Sequence, residues 1–338
     1  MGTDGAVLNE FSYDNTHEQA LKSAMALKAR YRPCRAVCES TGNHWIKTAD
    51  AFEEAGISLV LANPFKIKAI AWASVKTDPA DARMLAHLLR TNLVSACHIG
   101  NAESRGIKQA VRYHRTLIRD RTATINYLHS LTDKYDVDPK NGGRNVWGSR
   151  TLEYLDGVNL KNRFDQMTLD GCISSIRHYN EQIEKVSGAL TVYVRDNHDA
   201  KLLLSVTGID VFAAALLASE IDGIRRFDSP ARFVSWAGMC PTLHQSGDTE
   251  RHGRMNKHSN RKVNWVMIQC AYVAVVHDSR MKSYYERVKK GHKASVAITH
   301  VANKMLTIIW HMLTDGTTYR GVKKPLYQSK LKKVMDSR

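Results

Sequence analysis

The pattern of apolar and polar positions changes near residue 100. Upstream of it, short apolar runs alternate with segments of helical periodicity. The runs that predict strands are Ala6–Tyr13, Cys34–Thr41 and Ile57–Pro64. The predicted helices are His17–Arg30, Trp45–Ala55 and a segment that begins at Asp78. Strands that alternate with helices predict an α/β region with a partly parallel sheet, and the continuous apolar run of the third strand suits burial on both faces.

Helical periodicity dominates downstream of Ala102. One set of residues repeats at alternating spacings of four and three, which predicts a long helix with a coiled-coil-like seam: Ile107, Val111, His114, Ile118, Arg121, Ile125 and Leu128. Polar groups interrupt this seam, so a helical arm is predicted instead of a strict coiled coil. After a glycine-rich break at Asp138–Gly148, a second long helix is predicted from Leu169 to about Val194. The resulting hairpin suits subunit contact, reach along a nucleic acid, or a plain helical spacer.

A compact helical region is predicted from Lys201 to about Thr314. Within it, Leu202–Ile221 has the pattern of helix, turn and helix around Gly208. Such a turn can aim backbone N–H groups at a phosphate, or it can simply cap one core helix before the next. The sequence leaves both interpretations open. The basic segment Tyr319–Lys333 is expected to be mobile, with solvated charge or weak nucleic-acid contacts.

The net charge of the chain indicates which class of molecule it binds. The 338 residues include 49 Lys and Arg against 33 Asp and Glu, which gives a net charge of +16. Nucleic acid is the usual polyanion for such a chain. An anionic membrane is the competing explanation, but the predicted helices lack faces that are both apolar and basic. No apolar run approaches the roughly 18 residues that span a bilayer, so no membrane partner is expected.

The N-terminal sequence does not have the pattern of a signal peptide. Six cysteines are scattered without C-x-x-C pairs. This usage indicates reduced thiols and a cytoplasmic protein, and it argues against a disulfide framework or a structural zinc site.

The stretch "KTDPADARMLA" carries two aspartates, Asp78 and Asp81. Asp78 suits an N-cap, Pro79 the first helical position and Asp81 the third, as in a capping box. The same two carboxylates share one face of a first helical turn. Together with Glu39, at the carboxyl end of a predicted strand, they offer the oxygen ligands that Mg²⁺ prefers. Spacing alone favours capping, because helix starts are far commoner than metal sites.

A second candidate is Ser246, which precedes Gly247 in a predicted polar loop. Serine is a poor nucleophile until a base or a metal activates it. Nearby basic side chains could hold a scissile phosphate: His244, Arg251, His252, Arg254, Lys257, His258, Arg261 and Lys262. From spacing alone, an ordinary Ser-Gly turn is the favoured interpretation.

In this order, several stretches resemble the DEDD-type transposases of the insertion-sequence family often called "one-ten", whose relatives include the Piv DNA invertase. They are "CESTGNHW", "LVLANPFKIKAIA", "KTDPADARMLA", "LLLSVTGIDVFAAALLASEI", "FDSPARFVSWAGMCPTLHQSG" and "RMNKHSNRKVNW". The resemblance implies an α/β, RNase H-like (RuvC-like) domain followed by all-α regions. The expected divisions are a RuvC-like domain at 1–100, a helical coiled-coil arm at 101–195, a helical transposase domain at 196–320 and a basic tail at 321–338.

The resemblance also implies the chemistry. Glu39, Asp78 and Asp81 match three of the family's four Mg²⁺-binding acids, and Ser246 matches its serine nucleophile. DNA is the implied substrate, a structured RNA from the element is the implied guide, and a dimer or tetramer is the implied assembly. Residues expected to contact nucleic acid are Arg251, Arg254, Lys257, Arg261 and Lys262.

The family's first aspartate lies in a strand that reads like G-I-D near the N-terminus, and this sequence has no such strand. Asp4 aligns better with the following turn and is not assigned that role. A start codon placed too late, or a decayed gene copy, would each explain the difference. The sequence therefore predicts a DNA transposase or recombinase. The alternatives are a RuvC-like metal-dependent nuclease and a catalytically decayed nucleic-acid-binding remnant.

Overall fold

The computed structural model describes residues 1–70, 77–143, 147–246, 249–255 and 259–336. The chain forms two compact units, Met1–Gly100 and Asn101–Arg338. The first unit holds a three-stranded sheet of order β1-β2-β3, whose strands are β1 (Arg35–Glu39), β2 (Ser58–Ala62) and β3 (Ala96–Cys97). β1 pairs with β2 in parallel and β3 pairs with β2 antiparallel. The prediction of a partly parallel sheet is thus confirmed.

Four helices surround this sheet: α1 (His17–Arg30), α2 (His44–Glu54), α3 (Pro64–Ile70) and α4 (Asp78–Arg90). The bounds of α1 coincide with the prediction, and its N-cap is Thr16, whose hydroxyl accepts a hydrogen bond from the Gln19 amide. One apolar cluster joins α1 and α2 through Ala24 and Phe52. A second joins α3 and α4 to the other side of the sheet around Ala62.

The predicted strand at Ala6–Tyr13 is wrong, since these residues form no regular secondary structure and pair with no strand of the described chain. Val7, Leu8 and Phe11 are about half exposed, so the segment gains little by burying its apolar side chains. An ion pair between Glu10 and Arg83 fixes it to α4 instead.

The second unit is mainly helical. Its helices are α5 (Ala102–Lys134), α6 (Ser149–Asp156), α7 (Arg163–Asp196), α8 (His198–Leu203), α9 (Val211–Ile221), α10 (Pro230–Trp236), α11 (Arg261–His277), α12 (Ser279–Lys289), α13 (Ala294–Asp315) and α14 (Lys324–Met335). Short 3₁₀ helices lie at Pro139–Gly142 and Ile224–Arg226. An antiparallel hairpin, β4 (Pro241–Ser246) and β5 (Thr249–Met255), interrupts the helices, so the prediction of a wholly helical C-terminal region is wrong there.

The two long helices, α5 and α7, form the predicted hairpin. His114 Nε2 lies 3.0 Å from Ser187 Oγ, and Arg121 donates a 2.8 Å hydrogen bond to the Asn180 side chain. From His114 to Arg121 the chain advances seven residues along α5, whereas their partners Ser187 and Asn180 are seven residues apart in the reverse order along α7. The two helices are therefore antiparallel. The polar interruptions of the seam are therefore hydrogen-bonding partners across the helix pair, above an apolar cluster that includes Leu128.

The turn between α8 and α9 is part of the core. Gly208 has φ +94°, and a Cβ atom there would lie 2.4 Å from the Cys270 carbonyl oxygen of α11. Its neighbours Thr207 and Ile209 are buried. The prediction that the glycine caps the preceding helix is wrong, because the C-cap of α8 is Leu204. Gly208 instead allows the turn to approach α11 closely, and the burial of its neighbours does not favour a phosphate site.

The C-terminal segment is a docked helix, and the expectation that it is mobile is wrong. In α14, Val334 is fully buried and the Tyr327 hydroxyl donates to the Lys201 carbonyl at 3.3 Å. Within the described residues, no helix is both long enough and apolar enough to cross a membrane.

Candidate active site

Glu39 is the last residue of β1. The Thr41 hydroxyl donates a 2.5 Å hydrogen bond to Glu39 Oε1 and orients that carboxylate. Because β1 and β2 are parallel, their carboxyl ends share one edge of the sheet, where sites in α/β folds gather.

The structure corrects the assignment of the cap of α4. The N-cap is Thr77, whose hydroxyl accepts from the Ala80 amide at 3.4 Å, and Asp78 is the first helical residue. Neither the Asp78 nor the Asp81 carboxylate has a hydrogen bond or an ion pair with a residue that the structure describes. Thr77 therefore performs the capping predicted for Asp78, and both carboxylates remain free to bind a ligand.

The direction of α4 brings these acids to the same end of β1 as Glu39. Past the end of α4, the Asn92 side chain accepts a 3.2 Å hydrogen bond from Arg35, the first residue of β1. Val37, in the middle of β1, packs in the cluster that contains Leu88 of α4. The helix thus runs antiparallel to the strand, and its first turn lies toward the carboxyl end of β1.

The donor set has the chemistry of a magnesium site, because three carboxylates supply hard oxygen ligands. In the parts of the chain described, however, no group of three or more His, Cys, Asp or Glu side chains is close enough to hold a metal ion. The acids are thus at one end of the sheet without forming a compact ligand cluster.

Ser246 is the final residue of β4 and pairs with Thr249 across a two-residue connection. It therefore ends a strand, whereas the sequence predicts that it lies in a polar loop. On β5, Arg251 pairs with His244, and Arg254 lies further along the strand. The predicted contacts Lys257 and His258, and Gly247, lie outside the described residues.

The last two predicted nucleic-acid contacts begin α11. Arg261 is exposed, whereas Lys262 is half-buried with its Nζ 3.8 Å from Glu220 Oε1. Burial lowers the pKa of the Lys262 amine, and the Glu220 carboxylate acts in the opposite direction. Lys262 thus shares the carboxylate of Glu220 with Arg112, which lies 3.9 Å from it.

Glu220 is a residue that sequence reasoning missed. It is 9% exposed on α9, accepts a 2.9 Å hydrogen bond from the Asn260 side chain, and lies 3.9 Å from Arg112 of α5. One carboxylate therefore joins α5, α9 and the start of α11. The signal available in the sequence was a single acid at the end of the apolar run Val211–Ile221.

Comparison with known proteins places both candidate regions in one family. A model of DEDD-type IS110 proteins, described as "Transposase", matches residues 1–136, which include Glu39, Asp78 and Asp81. A second model, "Transposase IS116/IS110/IS902 family", matches residues 200–286, which include Ser246.

Similar proteins match most of the chain. The transposase for insertion sequence element IS1111A of Coxiella burnetii is 25% identical over 295 residues, covering 84% of this chain and 79% of that protein. The transposase for insertion sequence element IS1328 of Yersinia enterocolitica is 21% identical over 295 residues, covering 85% of this chain and 86% of that protein. Since models of one family match both units and the relatives extend across them, the chain belongs to the DEDD-type insertion-sequence transposases of the IS110 family.

Proposed function

We propose that this transposase cuts and rejoins DNA by phosphoryl transfer, with Glu39, Asp78 and Asp81 as acids of the reaction centre and Ser246 as the nucleophile. The observation that carries the proposal is the arrangement of α4 on β1. It directs two carboxylates without partners among the described residues toward the strand end that bears Glu39.

In this proposal, residues 1–100 are an RNase H-like (RuvC-like) domain. The parallel pair β1–β2, the antiparallel β3 and the acids at the carboxyl end of β1 support it. The arm comprises residues 101–195 and the transposase domain residues 196–320, with α14 packed on the latter. Of these boundaries, only the one after residue 100 coincides with a division between compact units.

Ser246 attacks the phosphorus of a DNA phosphodiester through its Oγ. A serine–phosphorus ester forms as one phosphorus–oxygen bond of the strand breaks, the serine loses its proton, and the released sugar hydroxyl gains one. The hydroxyl of a second strand end then attacks this phosphorus and loses its proton, while the serine–phosphorus bond breaks and Ser246 regains a proton, so the energy of the ester is kept for rejoining. The position of Ser246 at the end of β4, paired with Thr249 at the start of β5, supports this assignment.

Glu39, Asp78 and Asp81 would hold Mg²⁺, which when bound stabilises charge that develops on the reacting phosphate. The proposal requires substrate or metal to bring the three carboxylates closer than they stand here, because the described residues contain no compact ligand group. Asp78 and Asp81 share the first turn of α4, whereas Glu39 ends β1.

DNA is the proposed substrate, which the net charge of +16 supports. We extend the proposal to a structured RNA of the element as guide and to a homo-oligomer in which one subunit's serine meets another's acids. Family resemblance supports both extensions.

The test is formation of a covalent protein–DNA adduct on a denaturing gel, with element-end DNA, its flanking RNA and Mg²⁺. Ser246→Ala should abolish the adduct, whereas Thr249→Ala, which changes the paired residue of the same hairpin, should retain it. Glu39→Gln should lower adduct formation by at least about 100-fold, and Glu53→Gln, a change of an exposed acid on α2, should leave it unchanged.

Two results would overturn the nucleophile assignment. DNA cleavage that needs the acids but survives Ser246→Ala without an adduct would identify a nuclease that uses water. DNA binding without cleavage in the wild-type chain, unaffected by Glu39→Gln, would identify a binding protein.

A further inference from the structure

A cavity of about 610 Å³ lies in the second unit between α5, α9 and α11. Its walls combine cations with aromatic rings: Arg112, Arg115, Arg119, Phe212, Lys262 and Trp265. The volume is within the range of small-ligand sites and is too small to admit a nucleic-acid duplex. The cavity is separate from Glu39 and the acids of α4, which belong to the other unit.

The cations of the cavity are only partly neutralised. Glu220 is near two of them, 3.9 Å from Arg112 and 3.8 Å from Lys262. Arg119 pairs with its neighbour Asp120 at 2.8 Å. Arg115 has no ion pair with any residue in the described ranges. Three acids, the buried Glu220, the half-buried Asp120 and the exposed Asp210, thus lie near the four cations, and of the three Asp210 lines the cavity. The remaining positive charge favours an anionic ligand.

The aromatic side chains are arranged for stacking. The Arg115 guanidinium lies 4.3 Å from the centre of the Trp265 ring, and the His114 ring stacks on Phe212 at 4.8 Å. Burial lowers the pKa of the His114 imidazole, which favours its neutral form. Guanidinium and indole planes are the surfaces on which proteins stack unpaired bases, and such stacking tolerates any base.

We propose that this cavity holds one unpaired nucleotide of a nucleic-acid strand, with its base on the Arg115–Trp265 pair and its phosphate near Arg112, Arg119 and Lys262. The inference rests on the proposed function, because it takes nucleic acid as the partner. It adds that the second unit recognises a nucleotide outside a duplex. A base removed from its stack fits a concave, aromatic site that a duplex edge cannot reach. The same chemistry would accept DNA or RNA.

The test compares single and double strands on the full-length chain. Fluorescence anisotropy measures binding of a labelled 20-nucleotide oligothymidine, the same strand with abasic sites, and a duplex of equal length. Trp265→Leu and Arg115→Gln should weaken oligothymidine binding by at least about fivefold and duplex binding by less than twofold. Abasic sites should weaken wild-type binding to a similar extent.

The matched control is Arg287→Gln on α12. Arg287 also lies over an aromatic ring, 5.2 Å from the centre of Tyr284, but outside the cavity. This variant removes the same charge and a similar stacked pair, and it should change single-strand binding by less than twofold. Trp265→Phe keeps an aromatic ring and should restore most of the affinity lost in Trp265→Leu.

Photocrosslinking supplies a readout that does not depend on a folded variant. A strand that carries 5-iododeoxyuridine, or 5-iodouridine in the RNA version, should crosslink to the wild-type chain at Trp265 or Phe212. The strand with the stronger crosslink identifies the source of the nucleotide.

The inference would be overturned if the crosslinks were confined to other segments. It would also be overturned if the cavity variants lost as much affinity for the duplex as for the single strand. Wild-type binding to no nucleic acid would count against the proposed function as well. If the wild type bound nucleic acid strongly and the cavity variants bound it equally well, only this inference would be wrong, and the proposed function would stand.

Discussion

The ammonium group of Lys330 lies 2.6 Å from the carbonyl oxygen of Ile209, and also within 3.1 Å of the Leu204 carbonyl and 3.4 Å of the Val206 carbonyl. One side chain of α14 thus satisfies three carbonyl groups of the turn that joins α8 to α9. Burial lowers the pKa of the Lys330 amine, while Asp210 opposes this effect. The helix at the C-terminal end of the sequence is therefore an integral part of the second unit.

Replacing Lys330 by Met should lower the free energy of unfolding by about 1–3 kcal/mol, because carbonyl groups of the turn lose their donor. Urea denaturation of the full chain, followed by circular dichroism, measures the change. Lys333→Met removes an exposed lysine of the same helix and should stay within about 0.5 kcal/mol of the wild type. Equal effects of the two substitutions would show that the three hydrogen bonds contribute nothing.

Gly208→Ala should be among the most disruptive small substitutions. The added Cβ would meet the Cys270 carbonyl oxygen at 2.4 Å, and the φ of +94° is unfavourable for alanine. We expect a loss of about 2–4 kcal/mol in the free energy of unfolding.

The control for this glycine is Gly188, which lies inside α7 with open space around it. Gly188→Ala should raise stability by up to about 1 kcal/mol, since alanine favours the helix. Thermal melts of the two variants should therefore shift in opposite directions. A Gly208→Ala variant as stable as the wild type would contradict the close backbone contact between the turn and α11.

At the start of α4, stability and activity should depend on different residues. Thr77→Ala removes the N-cap and should lower the free energy of unfolding by about 1 kcal/mol, with activity retained in the folded fraction. Asp78→Asn and Asp81→Asn keep the cap and should change stability by about 0.5 kcal/mol, mainly through the helix dipole.

The same two aspartate variants should abolish adduct formation with element-end DNA. Denaturation curves and the adduct gel, run on the three variants together, measure both properties. If the aspartate variants unfolded more easily than Thr77→Ala and remained active, their role would be structural.

Much of the fold follows from periodicity. The sequence correctly predicts α1, the parallel pair β1–β2, and the hairpin of α5 and α7, because the spacing of apolar residues in each segment matches the period of its helix or strand. The misses have a common cause. Ala6–Tyr13 has the composition of a strand, but no strand among the described residues pairs with it, and pairing is a tertiary property. The hairpin β4–β5 lies in a polar segment whose strand pattern is weak.

The candidate site residues likewise include some that the sequence predicts and others that only the folded structure reveals. Motif spacing singles out Glu39, Asp78, Asp81 and Ser246, but it cannot show that α4 runs antiparallel to β1. Glu220 was missed because its importance depends on Arg112 and Asn260, which are far from it in sequence. Likewise, only the folded chain shows that Thr77, rather than Asp78, caps α4.

Cys270 gives the molecule a defined response to alkaline pH. Burial raises the pKa of its thiol to about 12, with a smaller contribution from Asp210 and an opposing one from Lys330. The folded chain therefore binds this proton more tightly than the unfolded chain, where a cysteine titrates near pH 8.5. The stabilisation is complete below about pH 8.5 and is lost as the pH rises toward 12.

Between pH 8 and 10, the free energy of unfolding of the wild type should thus fall more steeply than that of Cys270→Ala, by at most about 1.4 kcal/mol per pH unit. Denaturation curves at several pH values give the two slopes. Tyr193 and Tyr319, whose pKa values burial also raises to about 12, are present in both proteins and cancel in the comparison.

Iodoacetamide at pH 9 should leave Cys270 of the native protein unmodified and label it in urea, because the thiolate is the reactive form. Rapid labelling of native Cys270, or equal slopes for the two proteins, would mean that α11 opens far more readily than its contact with Gly208 implies.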